Sequence, residues 1–214
     1  MGSMRGPGEK SSQARGRVLA LALALASGTA AGDEILSASS PPPDSALTKV
    51  MARYSQEKPA LANFRYVALL DYRRPSWEPR FHLIEAVSGK RVASYVVAHG
   101  RGSDPDHDGY ATEFSDEPES HMSSLGFFVT GETYESESAG HGLSLRLNGV
   151  SDTNRNARER DIVIHGNWYV EPEVLAKQRK PGRSYGCMVF SAADRDAVVE
   201  KLKDGALIYA FYER

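Results

Sequence analysis

"DIVIHGNWYVEPEVLAKQRKPGRSYGCMVF", residues 161–190, holds three kinds of local signal in one stretch. Ile162, Val163 and Ile164 form a β-branched run that ends on His165 and Gly166, so residues 161–166 read as a strand with the histidine at its rim. "EPEVLAKQ" (171–178) reads as a short helix with Pro172 in its first turn. "GRSYGC" then turns the chain and delivers Cys187, the only cysteine present. The helix and the "KPGRS" turn give the chain enough length to loop back beside the strand. Strand ends are where rigid scaffolds present reactive groups.

On either side the period is mostly two. "FRYVALLDYRR" (64–74), "RFHLIEA" (80–86), "RVASYVVAHG" (91–100), "GFFVTGETY" (126–134), "LSLRLNG" (143–149) and "ALIYAFYE" (206–213) are rich in β-branched and aromatic residues. "VSGK" supplies a turn between two of them, which predicts antiparallel pairing. Residues 101–122 are polar and follow neither period, which predicts a long loop, functional or mobile. Leu47, Val50, Met51 and Tyr54 recur at helical spacing, with Asp44 or Ser45 as cap and Pro59 as stop. "SAADRDAVVEKLKDG" (191–205) predicts a second C-terminal helix, capped by Ser191 with Asp194 three residues on and ended by Gly205. The fold expected is α+β and predominantly β, a mixed sheet or sandwich core with a few short helices and no internal repeat.

The N-terminus carries Arg5, Lys10, Arg15 and Arg17, an apolar run from Val18 to Ala26, and then small residues. That layout predicts a cleavable signal peptide over residues 1–31, because a membrane span needs roughly 20 apolar residues and this run is shorter. "SASSPPPDS" (37–45) is a tether that cannot pack, so residues 32–46 read as linker and 47–214 as the domain. No long apolar stretch follows residue 31, so no transmembrane segment is expected in the mature chain. The 214 residues have a formal net charge of −2 with both signs interspersed, which argues against nucleic acid or anionic lipid as partner. Nothing in the sequence fixes an oligomeric state.

Export makes a lone thiol notable, since exported chains usually pair their cysteines. Placed at the entrance to the 191–205 helix, Cys187 would feel that helix's N-terminal partial charge, which lowers a thiol below its ordinary ~8.5. Gly186 before it lets the chain turn and lets a substrate approach the backbone N–H groups. His165 is the best placed of the six histidines to act as base. A lone cysteine is equally a small buried hydrophobe, and a lone histidine an ordinary hydrogen-bonding residue, so the pair by itself leaves both readings open.

"IVIHG" followed by "GRSYGC" resembles the signature of the L,D-transpeptidase catalytic domain family (YkuD type), in which a histidine precedes a Ser/Thr-x-Gly-Cys segment. Within that family the chain is similar to the murein L,D-transpeptidase branch, through "LLDYRRPS", "VVAHGRGSDPDHDG", "FSDEP", "SSLGFFVTGETY", "HGLSLRLNGV" and "NARERDIVIHG" in the same order. The resemblance implies a YkuD-like fold, Cys187 as nucleophile, His165 as base and the Gly166 carbonyl as orienter of the imidazole. It implies an oxyanion region at the amides of Tyr185, Gly186 and Cys187, with Ser184 beside them. It departs from the better-known pattern at Tyr185, where a second histidine is usual, and at Met188; a tyrosine is no base near neutral pH. Arg183 next to the active segment is a candidate grip for a substrate carboxylate, and Tyr134, His141 and Arg146 are candidate cleft residues.

The activity so implied is acyl transfer on peptidoglycan stem peptides: cleavage between meso-diaminopimelate and D-Ala, a thioester on Cys187, and a 3→3 cross-link. It needs no cofactor, because the cleaved peptide bond supplies the acyl group. Its place would be the periplasm or cell envelope. An L,D-carboxypeptidase or endopeptidase using the same pair, and a module that only binds muropeptides, are the alternatives. No metal is expected. "DPDHDGYATEFS" starts like a calcium loop at Asp104, Asp106, Asp108 and Gly109, but has Ser115 where a bidentate Glu belongs. His99, His107 and His121 are spaced unlike zinc ligands.

Overall fold

The computed structural model describes residues 1–2 and 40–212. The predicted signal peptide and most of the predicted linker therefore lie outside the described residues. Eight strands are present among those described: β1 (Tyr66–Asp71), β2 (Phe81–Glu85), β3 (Arg91–Tyr95), β4 (Gly126–Glu135), β5 (Leu143–Gly149), β6 (Val163–Gly166), β7 (Met188–Phe190) and β8 (Leu207–Phe211). They form one mixed sheet in the order β3-β2-β1-β8-β4-β5-β6-β7. The β1/β8 and β6/β7 pairs are parallel and the others antiparallel. Three α-helices accompany them: α1 (Asp44–Glu57), α2 (Pro172–Gln178) and α3 (Ala192–Leu202). The fold is thus mostly β with a few short helices, as expected.

The sheet curls until its two ends meet. Beyond β3, Ala98 N–H donates to Val189 O on β7 at 2.9 Å, and Ser184 N–H donates to His99 O at 2.8 Å. Phe81 of β2 meets Phe190 of β7 edge to face, with ring centroids 5.1 Å apart, although the two strands stand far apart in the sheet order. Inside this curl lies the main core, in which Leu70, Leu83, Phe128, Leu145 and Ile164 pack with Val198, Val199 and Leu202 of α3. Outside it, α1 lays Ala46, Val50 and Tyr54 on Val67, Leu69 and Leu207. β1 is covered on both faces, which is why "VALL" is apolar without alternation.

Local chemistry fixes the ends of these elements. Ser191 Oγ accepts the Asp194 N–H at 3.2 Å and caps α3, and α1 stops before the turn that contains Pro59. Two expectations fail at this level: the N-cap of α1 is Pro43, with no side-chain cap, rather than Asp44 or Ser45, and the cysteine lies elsewhere than expected. Cys187 is not at a helix N-terminus, because β7 intervenes and α3 starts only after Ser191. "MVF" is too short to show a period, and its apolar character comes from burial in the core.

Candidate active site

The parallel pairing of β6 with β7 sets the site. His165 lies opposite Val189, so Cys187, two residues before Val189, falls on the same side as the imidazole. Both line a cavity of about 500 Å³, with His141, Arg183, Ser184 and Tyr185, and with Arg101, His107, Asn167 and Tyr169.

His165 is buried, and its Nδ1 stands 2.7 Å from Gly166 O. A carbonyl only accepts, so Nδ1 carries the proton and Nε2 keeps its lone pair. The His141 ring stacks on it at 3.7 Å. Burial lowers the His165 pKa to about 4; the Gly166 carbonyl opposes that shift, while His141 and Arg195 add to it. The His141 carbonyl accepts from Gly166 N–H at 3.0 Å and from Arg195 Nη1 at 2.6 Å, which ties the loop before β5 to the end of β6.

The Cys187 thiol is half-buried, unpaired, and 3.5 Å from Asp161 O, to which it donates. Desolvation pushes its pKa up to about 11, against the lowering effect of the Val163 N–H and of Arg160. Burial thus favours the neutral thiol and the neutral imidazole, contrary to the expectation of a helix-lowered thiol.

The turn before the cysteine is fastened by Ser184, whose Oγ donates to Cys187 O at 2.8 Å and accepts Gly186 N–H at 3.1 Å. The Gly186 amide expected to face an oxyanion is thus already engaged with Ser184. Gly186 itself has φ +122°. Tyr185 projects outward, 62% exposed, with the Arg101 guanidinium 4.5 Å and the His121 ring 4.4 Å from its ring.

Arg183 lines the cavity, but its guanidinium also donates to the carbonyls of Asp104 and Pro105. Tyr134 does not line it. It sits on β4 opposite Ser144, under Arg146, which reaches Glu132 and Asp161.

Four lining residues escaped the sequence reading. Asn167 and Tyr169 directly follow the "HG" pair and were reachable from it. Arg101 and His107 lie in the aperiodic 101–122 stretch, where spacing carries no signal. The "DPDHDG" segment is an internally bonded turn: the Asp104 carboxylate accepts from Asp108 N–H, Gly109 N–H and His99 Nε2. Among the described residues no group of three or more His, Cys, Asp or Glu is placed to hold a metal ion.

A family model described as the L,D-transpeptidase catalytic domain matches residues 42–211. Similar solved structures include an L,D-transpeptidase from Mycobacterium smegmatis, at 12% identity and TM-score 0.41, covering 69% of this chain and 58% of that one. Another is the helical cell shape determining protein Pgp2 of Campylobacter jejuni, at 12% identity and TM-score 0.44, covering 72% and 49%. A third is an L,D-transpeptidase from Stackebrandtia nassauensis, at 18% identity and TM-score 0.38, covering 78% and 67%. The chain thus spans under two thirds of the first two proteins' lengths. No curated protein sequence matches it.

Proposed function

Because the chain belongs to the L,D-transpeptidase catalytic domain family, we propose that it transfers acyl groups between peptidoglycan stem peptides, with Cys187 as nucleophile and His165 as base. The observation that carries this reading is the meeting of the two residues in one cavity, with His165 Nδ1–H held by Gly166 O and the Nε2 lone pair left to take a proton.

With both groups neutral at rest, the proton leaves sulfur for Nε2 as sulfur bonds to the carbonyl carbon between diaminopimelate and D-Ala. The imidazolium then returns that proton to the departing D-Ala nitrogen as the C–N bond breaks, leaving a thioester. An amine of a second stem peptide attacks the thioester, forms the amide and gives the thiol back its proton. Water in place of the amine yields a carboxylate, and the activity is then an L,D-carboxypeptidase. The thioester holds the acyl group without any cofactor. Export, which the predicted signal peptide would direct, places the reaction at the envelope; among the described residues no helix is long and apolar enough to cross a membrane.

The deciding experiment is mass spectrometry of muropeptides after incubation with purified protein, since it reports the bond cleaved and the acceptor together. Release of D-Ala with a cross-linked dimer, lost in Cys187→Ala, supports the transferase. D-Ala release without a dimer assigns the carboxypeptidase. Binding to sacculi with no product from either form leaves a muropeptide-binding module.

A further inference from the structure

Two polar atoms of cavity-lining residues have no hydrogen-bond partner among the described residues: His107 Nε2 and Asn167 Oδ1, both shielded from solvent. Native structures rarely leave such atoms unmatched, and two of them among the residues that line the cavity of Cys187 point to a ligand that completes them. The terminal torsions of His and Asn are soft, and a turn about χ2 is what would bring each head to face the cavity.

Neither residue is loosely held. His107, at φ +53°, sits in the turn organised by the Asp104 carboxylate. That carboxylate accepts from His99 Nε2 at 3.1 Å, and His99 Nδ1 accepts from Arg80 at 2.8 Å. Arg80 is fully buried and donates also to Val97 O and Arg74 O. From the other side, Lys180 donates to His107 O and Arg183 to Asp104 O. Asn167 continues the β6/β7 ladder, its N–H donating to Phe190 O at 3.0 Å.

An amide oxygen accepts from an N–H or ammonium, whereas His107 Nε2, in the tautomer that carries its proton there, donates to a carboxylate. Arg101 and Arg183 line the same cavity and add positive field to it, Arg183 through a guanidinium that donates to Asp104 O and Pro105 O in the turn that holds His107. We propose that His107 and Asn167 read the zwitterionic end of the diamino acid in the donor stem peptide, His107 taking its free carboxylate and Asn167 its ammonium. This rests on the peptidoglycan reading above and deepens it by naming the residues that set substrate choice.

The test measures binding to the full chain carrying Cys187→Ala, so that no chemistry intervenes. Two tetrapeptides serve as probes: one with meso-diaminopimelate, and the same peptide with its free diaminopimelate carboxylate amidated. Adding His107→Ala should weaken the acid peptide about tenfold or more and leave the amidated one nearly unchanged, while His107→Gln, which keeps an N–H donor, restores most of the loss. Asn167→Ala should weaken both peptides alike, and Asn167→Asp should recover both. Equal melting temperatures confirm that each variant folds.

Loss of both peptides alike in His107→Ala, or no change in either variant, overturns the proposal. If the wild-type chain releases D-Ala but shows no such selectivity, only this assignment falls. If the wild-type chain makes no product and the Cys187→Ala form binds neither peptide, the peptidoglycan reading fails and takes this assignment with it.

Discussion

The imidazole of His141 lies on that of His165, with ring centroids 3.7 Å apart and planes 22° from parallel. His141 thereby covers one face of His165 and keeps water from a ring that, in the proposed role, must be neutral to accept a proton. Removing the cover in His141→Ala should raise the His165 pKa from about 4 toward its ordinary 6.5, whereas His141→Phe, which replaces one flat ring by another, should hold it low. An NMR titration of the His165 ring proton reads this directly. An unmoved midpoint in His141→Ala would show that the stacking does not govern the base.

A neutral resting pair has a distinct pH signature. With burial holding the thiol near 11 and the imidazole near 4, the thiolate fraction is small at neutral pH and grows with pH. Alkylation of Cys187 by iodoacetamide should therefore climb about tenfold per pH unit from neutrality toward pH 11. A thiolate–imidazolium pair would instead give a rate that levels off in the acid range. Such a plateau below pH 6 would refute the neutral assignment.

Three buried histidines make the fold sensitive to acid. His82, His99 and His165 each have a pKa lowered to about 4, with burial as the largest cause. The unfolded chain takes up their protons near 6.5 and the folded one only near 4. Their stabilisation is therefore complete above pH 6.5 and drains as pH falls to about 4, each contributing a slope of up to about 1.4 kcal/mol per pH unit. Asp104, whose accepted hydrogen bonds outweigh its desolvation and lower it to about 2, extends the loss below pH 3.8. Urea unfolding at a series of pH values should show this slope. His82→Phe, remote from the cavity, should reduce it by about a third.

Strands were legible wherever a run was long enough to show its period, as in "LSLRLNG", which is β5 residue for residue. β7 was not, because three residues carry no period and their burial depends on a sheet that curls shut. Within the site, His165 and Gly166 could be read because they end an apolar strand. The thiol's pKa could not, since it depends on where the preceding turn is seated rather than on the turn's composition. His107 and Asn167 owe their place to the Asp104 network and to the ladder, both of which join residues far apart in the chain. Tyr134 shows the reverse error: it belongs to a motif-like stretch, yet its ring lies under Arg146 and outside the cavity.

The turn that seats Cys187 should be intolerant of one methyl group. Gly186 has φ +122°, and a Cβ there would stand 2.8 Å from both Met122 O and Ile162 Cδ1. The first of these is backbone and also accepts from Arg160 Nη2 at 2.7 Å, so it cannot retreat without breaking that bond. Gly186→Ala therefore adds steric overlap to backbone strain, each on the order of 1–3 kcal/mol. Gly89, at φ +67° in the allowed left-handed region and with nothing within 4 Å of its Cβ position, serves as the reference for a positive φ without overlap. Gly186→Ala should lower the melting temperature by roughly twice as much as Gly89→Ala or more, given about 2–4 °C per kcal/mol for a chain of this size. It should also abolish D-Ala release, because relieving the overlap shifts the turn that seats the Cys187 sulfur 3.5 Å from Asp161 O. Equal melting losses in the two variants, with D-Ala release intact in Gly186→Ala, would show that the turn has room to spare and that the seat of the thiol is set elsewhere.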